Sequence, residues 1–493
     1  MALQWLSLVG TIWLQSISST NSNFPSYSSQ LKLLFSLSQL QLNNLAFASD
    51  AGKLFGFVSG IAACHLPLWL VLIIGSALGF IGYGVQYLFL VKNKVSTLPY
   101  SIVFLLTILA GNSICWINTV SYMIVIQNFP SDRQLALGLS TSYQGLSAKL
   151  YSDVVGVIFK PSSSIQTARS YLLLNCILPL VVCLIVSPMI RDIKHTNIRR
   201  FSYGFLVIFA ITVLTGTYAV ITSLGSRKQL IPPRVILIGY VMRAAWMEEM
   251  EGWVLNEHGV KDEGVLNEHG VKDEGVFVSC DIEEMRVDVI LTRLNFWLYY
   301  FVYMFGATIG MVYLNNLGQI VESRGSSETT SLVSLASSFG FFGRILTCLL
   351  DYNASRIKYR VSRPAIIALL MLPMTTSFFL LLNDSSLCLH ISTAIIGLCT
   401  GAITSISVST TIELFGTNNF GVNHNIVVTN IPIGSFLFGN MAALLYRQQA
   451  ATNNGKCMGT KCYQTSFMIW GFLCFLGAFL AIVLHSRSKK TYV

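Results

Sequence analysis

With 493 residues, 53% of them hydrophobic and only 11% charged, against roughly 25% charged residues in an ordinary soluble domain, the chain falls outside the class of soluble globular enzymes and reads as a polytopic membrane protein. Its formal net charge of +10 does not point to nucleic acid. The basic residues fall in short clusters between apolar spans, where they meet anionic lipid head groups and set orientation.

The first apolar span, 5–23, stops short of Pro25 and carries Thr11, Gln15, Ser18 and Ser22 along one face. Its nearly uncharged start lacks the basic leader of a cleaved signal, so a retained helix is expected. The second, 44–64, contains Asp50 and Lys53 as i,i+3 partners, and His65-Leu-Pro turns the chain into the third, 68–90, closed by Lys92 and Lys94. The fourth, 100–127, contains Asn112, Asn118 and Tyr122. A polar turn, Asn128-Phe-Pro-Ser-Asp-Arg133, leads into the fifth, 135–158. That span is long enough to cross a bilayer as a helix, yet Gln144, Lys149 and Asp153 lie well inside it, where a bare charge is expensive. Lys149 and Asp153 stand at i,i+4 and neutralise each other on a helix, while Ser140, Gln144, Ser147 and Tyr151 form a separate polar stripe. Such a helix must face protein or a wet cavity. The pair has two readings, a structural one with Lys149 reaching toward one surface and one in solute or proton coupling. The sixth span, 170–190, ends in Arg191, Lys194, Arg199 and Arg200, a cluster that marks the cytoplasmic side.

Between the halves lie a further apolar stretch, 201–224, and a weaker one, 230–246, broken by Pro232, Pro233, Arg234 and Arg243. From 248 to 288 the chain is acidic and repeats Val254-Leu-Asn-Glu-His-Gly-Val-Lys-Asp-Glu-Gly264 unchanged as 265–275. A local duplication without a folded role explains it most simply, since its two histidines lack metal-ligand spacing. Six more spans follow at 294–317, 327–350, 364–382, 388–414, 421–446 and 466–485. Gly306-x-x-x-Gly310 in the first of them is a weak signal for close helix approach. Thr400, Thr404, Ser407 and Thr411 in the fourth repeat the striping of helix one. The predicted domains are 1–200, a six-helix bundle; 201–247, extra apolar segments; 248–292, an acidic cytoplasmic linker; and 293–493, a second six-helix bundle. The basic cluster Arg356, Lys358, Arg360 and Arg363 and the basic tail fall on the same side as Arg191 to Arg200, which makes both termini cytoplasmic. Cys457 and Cys462, in a polar loop, then face the opposite side and form a disulfide if that compartment is oxidising; C-x4-C is not a zinc spacing.

Two six-span halves around a long linker resemble the major facilitator superfamily, and specific residues support this. Gly343-Arg344, Asp351, Arg356, Lys358 and Arg360 look like a loosened form of that superfamily's Gly-x-x-x-Asp-Arg-x-Gly-Arg-Arg loop, which implies a gate latch; the matching Gly60-Ile-Ala-Ala-Cys-His65 has lost it. More closely, Leu42-Asn-Asn-Leu-Ala-Phe-Ala-Ser-Asp50-Ala-Gly-Lys-Leu-Phe-Gly, Leu66-Pro-Leu-Trp69, Gln127-Asn-Phe-Pro130 and Ser142-Tyr-Gln-Gly-Leu-Ser147 resemble the nodulin-like family of plant transporters. Glu413-Leu-Phe-Gly-Thr-Asn-Asn-Phe-Gly-Val-Asn-His424-Asn and Gly455-Lys-Cys-Met-Gly-Thr-Lys-Cys are similar to the nuclear-fusion-defective-four-like proteins. The resemblance implies an all-α facilitator fold with one or two extra segments between the bundles.

A secondary transporter of a small solute, anionic if a lone lysine faces the cavity and with a coupling proton in one version, is the leading expectation. Gln15, Asn118, Tyr122, Gln144, Asn315, Thr404 and Ser407 are the candidate solute contacts, each weighed against an ordinary helix-to-helix hydrogen bond worth about 1 kcal/mol. Lys149 and Asp153 are the candidate coupling or structural pair. Glu413 and His424, at a cytoplasmic turn, join Asp351, Arg356 and Arg360 as gate residues. The competing expectation is a membrane receptor or scaffold that keeps the fold without transport. No paired carboxylates, nucleophile elbow, phosphate loop or metal spacing argues for an enzyme, a cofactor or a metal. The expected surroundings are the lipid bilayer and a small solute, without nucleic acid, in a monomer.

Overall fold

The computed structural model describes residues 2–91, 99–130, 132–161, 163–191, 202–226, 287–326, 328–356, 362–417, 419–451 and 457–489. Within them the chain is helical wherever the sequence supplies a long apolar run. The first half comprises α1 (Ala2–Ser18), α2 (Pro25–Leu34), α3 (Gln39–Ala51), α4 (Gly56–His65), α5 (Leu68–Val91), α6 (Tyr100–Asn128), α7 (Arg133–Gly145), α8 (Ser147–Val154) and α9 (Ser164–Val186). The extra helix α10 (Ser202–Ser226) and the short α11 (Val287–Thr292) lie between the halves in sequence. The second half comprises α12 (Leu294–Tyr303), α13 (Ile309–Ser323), α14 (Thr329–Arg356), α15 (Arg363–Leu380), α16 (Ser386–Phe415), α17 (Phe420–Val428), α18 (Asn430–Ala451) and α19 (Gln464–Lys489).

Among the described residues, ten helical runs are long and apolar enough to cross a bilayer, including Leu40–His65, Leu294–Ser323 and Phe420–Ala450, each built from two consecutive α-helices. In a hydrocarbon core every backbone donor and acceptor must be paired within the segment, which is why such runs become helices. With α1 and the α7–α8 pair they make two six-crossing bundles. Sorting into inner and outer helices follows side-chain polarity. α5, α9, α15 and α19 turn large apolar residues outward, such as Leu369 and Phe472, at 68% and 65% exposure, as a lipid-facing surface requires. Polar side chains are turned inward, where they find partners.

Several expectations are corrected. Pro25 does not simply end the first crossing: it stands at the first position of α2, where its missing N–H costs nothing. The fifth crossing is not one helix, because it breaks at Leu146. Gly343-Arg344, expected in the loop after the eighth core helix, lies inside α14. Asp351 and Arg356 fall in the last turns of that helix, and Arg360, the 230–246 segment and the duplicated linker lie outside the described residues. The 201–224 stretch is helical as expected, and α10 is wedged between the halves. Its Thr212 reaches Tyr143 of α7 at 3.1 Å and its Ser223 reaches Ser338 of α14 at 3.2 Å.

The bundles meet along two seams, α7–α8 against α14 and α3–α4 against α17–α18. At the second seam, a Cβ added to Gly60 of α4 would lie 2.6 Å from the Gly421 carbonyl of α17. The crossing is therefore open only to glycine on the α4 side.

Candidate functional site

Where the two bundles face each other they leave a cavity of about 180 Å³, room for on the order of a dozen water-sized groups. Its wall takes side chains from both halves: Asp50, Lys53, Asn118, Tyr122 and Gln144 from the first, and Tyr303, Asn315, Arg344, Thr400, Thr404, Ser407 and His424 from the second. The halves also touch toward both ends of this cavity. Asn43 of α3 donates to Asn316 Oδ1 at 3.0 Å and to the Gly439 carbonyl at 3.1 Å. Gly60, about 25 Å further along the same run, meets Gly421.

Asp50 is the most densely bonded group on the wall. Its carboxylate accepts from Lys53 Nζ at 2.6 Å and Asn21 at 3.4 Å within its own half. It also accepts from Asn315 at 3.2 Å and Ser435 at 2.8 Å of the other half. A charge this deep is tolerable only with such partners, so the carboxylate clasps the two bundles together at one side of the cavity. The sequence displayed Asp50 and Lys53 as an i,i+3 pair in an apolar span, which is the signal that identifies them. Nothing local revealed the partners on α13 and α18.

Arg344 is the other charged group on the cavity wall. Its Nη1 donates to Gln144 Oε1 at 2.9 Å, across the seam between α14 and α7. Gln144, a candidate solute contact, lines the cavity, and so does Arg344, read from sequence as part of a loop latch and missed by sequence reasoning as a cavity group.

The break in the fifth crossing has a physical cause. In an unbroken helix the Lys149 amide would donate to the Gly145 carbonyl. Instead the Ser337 hydroxyl of α14 stands between them, accepting from Lys149 N at 3.4 Å and donating to Gly145 O. A side chain inserted into the ladder is one of the few things that bends a helix sharply. The consequence is that the predicted stripe splits. Gln144, before the break, points to Arg344, while Tyr151, after it, donates to the Ile17 carbonyl at 3.1 Å.

The other candidates sort as follows. Lys149 and Asp153 are paired at 3.0 Å, with Lys149 buried, and neither lines the cavity; the lone-lysine argument for an anionic solute therefore fails at this residue. Gln15 is fully buried beside the Tyr122 side chain, outside the cavity wall. Thr404 and Ser407 line the cavity and donate back to their own helix, to Gly401 O at 2.8 Å and Thr404 O at 2.7 Å. Asn118 Oδ1 and Thr400 Oγ1 are buried without a partner among the described residues. His424, expected in the turn, lies one turn into α17, stacked on Phe420 with ring centroids 5.1 Å apart and 3.3 Å from Thr411 Oγ1. Glu413 pairs instead with Arg363, at the end of α16 and the start of α15 within one half. Cys457 and Cys462 form the anticipated disulfide. No group of three or more metal-ligating side chains occurs among the described residues.

The chain matches the family described as Nodulin-like over residues 4–244 and that described as NFD4, C-terminal domain, over residues 279–493. Protein NUCLEAR FUSION DEFECTIVE 4 of Arabidopsis thaliana is 40% identical over 530 residues, covering 99% of this chain and 89% of that protein. Among solved structures, the major facilitator proton:xylose symporter XylE, bound to 6-bromo-6-deoxy-D-glucose, superposes with a TM-score of 0.57 at 11% identity over 97% of this chain and 94% of its own. A peptide transporter POT in complex with sulfate gives 0.58 at 12% identity over 99% and 94%. At such identities the likeness concerns the fold, which is that of the major facilitators.

Proposed function

This chain belongs to the nodulin-like family that includes the plant protein NUCLEAR FUSION DEFECTIVE 4, and from that premise we propose that it carries a small polar solute across a membrane by alternating access. The carrying observation is the cavity itself. It is built half from each bundle and flanked by contacts between the bundles on either side, which is the geometry in which rocking of one half on the other exposes a central site to one face at a time. Asp50 with Lys53 fastens one side, and the Gly60–Gly421 crossing closes the other. Lys149 with Asp153 serves as a structural brace, and any proton coupling falls to the cavity groups. Both termini lie in the cytoplasm, with the Cys457–Cys462 loop on the far side.

Purified protein reconstituted into liposomes, loaded with metabolite extract and assayed for solute-specific counterflow, should accumulate at least one small polar compound. Proteoliposomes of correctly inserted protein that exchange nothing beyond protein-free controls would sink the proposal and leave a non-transporting receptor as the reading.

A further inference from the structure

Resting on the transport reading, a second observation identifies the chemistry of the cargo. Among the charged groups on the cavity wall, Asp50 and Lys53 neutralise each other at 2.6 Å. Arg344 has no carboxylate partner among the described residues. Among the described residues its hydrogen bond goes to the neutral Gln144 Oε1 at 2.9 Å, and its Nε is buried without a partner there.

A guanidinium always carries its charge, and an unpaired charge inside a membrane-spanning bundle, here half-buried on the wall of a small cavity, is held at a cost. A pin between two helices does not need that charge: a neutral amide pair would bridge α7 and α14 more cheaply. We propose that Arg344 is the anchor for a carboxylate, and that the cavity accepts a small solute bearing a single negative charge. The planar fork presents Nε and its Nη groups in the geometry that matches two carboxylate oxygens. Gln144 Oε1 stands where one of those oxygens would bind. One uncompensated positive charge calls for one negative charge, which favours a monocarboxylate over a dianion. The unpartnered Asn118 Oδ1 and Thr400 Oγ1 supply contacts for a hydroxyl elsewhere on the solute. A cavity of about 180 Å³ suits a small solute.

The arrangement also connects binding to shape. Gln144 directly precedes Gly145, whose carbonyl is held by Ser337 of α14. A carboxylate that takes Arg344 from Gln144 therefore removes one of the ties between α7 and α14 at the point where the crossing is already broken.

The test is direct binding to the purified full chain, read as the shift in thermal unfolding midpoint. The probes are short-chain monocarboxylates with and without a hydroxyl, their amides, the matching dicarboxylates, and sulfate. Monocarboxylates should raise the midpoint and their amides should not; Arg344→Gln should weaken binding at least about thirtyfold, and Gln144→Ala should bind at least as tightly as the wild type. Equal stabilisation by acid and amide, preference for dianions, undiminished binding in Arg344→Gln, or no monocarboxylate binding overturns the proposal. Should Arg344→Gln fail to fold, the acid-against-amide comparison in the wild type and the Gln144→Ala variant decide it. Arg344-dependent binding without flux would overturn the transport reading alone, whereas flux of a neutral solute with no anion binding would overturn only the assignment to Arg344.

Discussion

Asp50 and Lys149 carry opposite lessons about buried charge. Both belong to close ion pairs in apolar spans, but Asp50 spends its remaining lone pairs on donors from the other half, and Lys149 is sealed against Asp153 away from the cavity. Removing one member of a buried pair strands the other, at about 3–5 kcal/mol. Asp50→Asn should therefore lower the unfolding midpoint sharply by stranding Lys53, and Asp50→Asn with Lys53→Met should regain much of the loss. Transport by that double variant should still fail, because the clasp to Asn315 and Ser435 is weakened. For the other pair, Lys149→Met with Asp153→Leu should be near neutral in stability and leave flux intact; a large flux defect in a stable double variant would restore the coupling role to Lys149. Sequence spacing displayed both pairs equally well. It had no means of ranking them, since rank depends on which side chains lie across the seam.

The two broken elements, the fifth crossing and the α3–α4 run, are where the halves come closest. Ser337 replaces one helical hydrogen bond of the fifth crossing, and interhelical hydrogen bonds in membranes are worth about 1 kcal/mol. Ser337→Ala should cost little in overall stability yet change amide hydrogen exchange locally, around 146–150, where the Lys149 amide loses its acceptor. Unchanged exchange there would count against the inserted hydroxyl as cause of the break. At the other seam, Gly60→Val forces α4 and α17 apart, and it should abolish flux while leaving the fold intact. The predicted helix lengths were close to those observed because length follows the apolar run. The breaks were not legible, since a serine 192 residues away from Gly145 in sequence causes one of them.

At the scale of the whole molecule, the disulfide loop is the handle on orientation. Cys457→Ser with Cys462→Ser should lower stability by about 2 kcal/mol, given how short the closed loop is, and leave flux unaffected. A maleimide probe that cannot cross membranes should label a cysteine placed at Lys461 only from the face opposite the termini; labelling from the terminal face would invert the assigned topology. By itself, the sequence determined that this chain lives in a bilayer, that it crosses in two sets of six, and that polar groups are kept on particular helix faces. Those properties follow from local hydropathy, helix period and the cost of charge in hydrocarbon, all of which are written residue by residue. Only the tertiary structure decided that Arg344 faces a cavity rather than a loop, that Asp50 clasps both bundles, and that α10 is wedged between them. Which polar group meets which depends on how two separately folded bundles dock, and docking joins residues hundreds of positions apart that no local pattern relates.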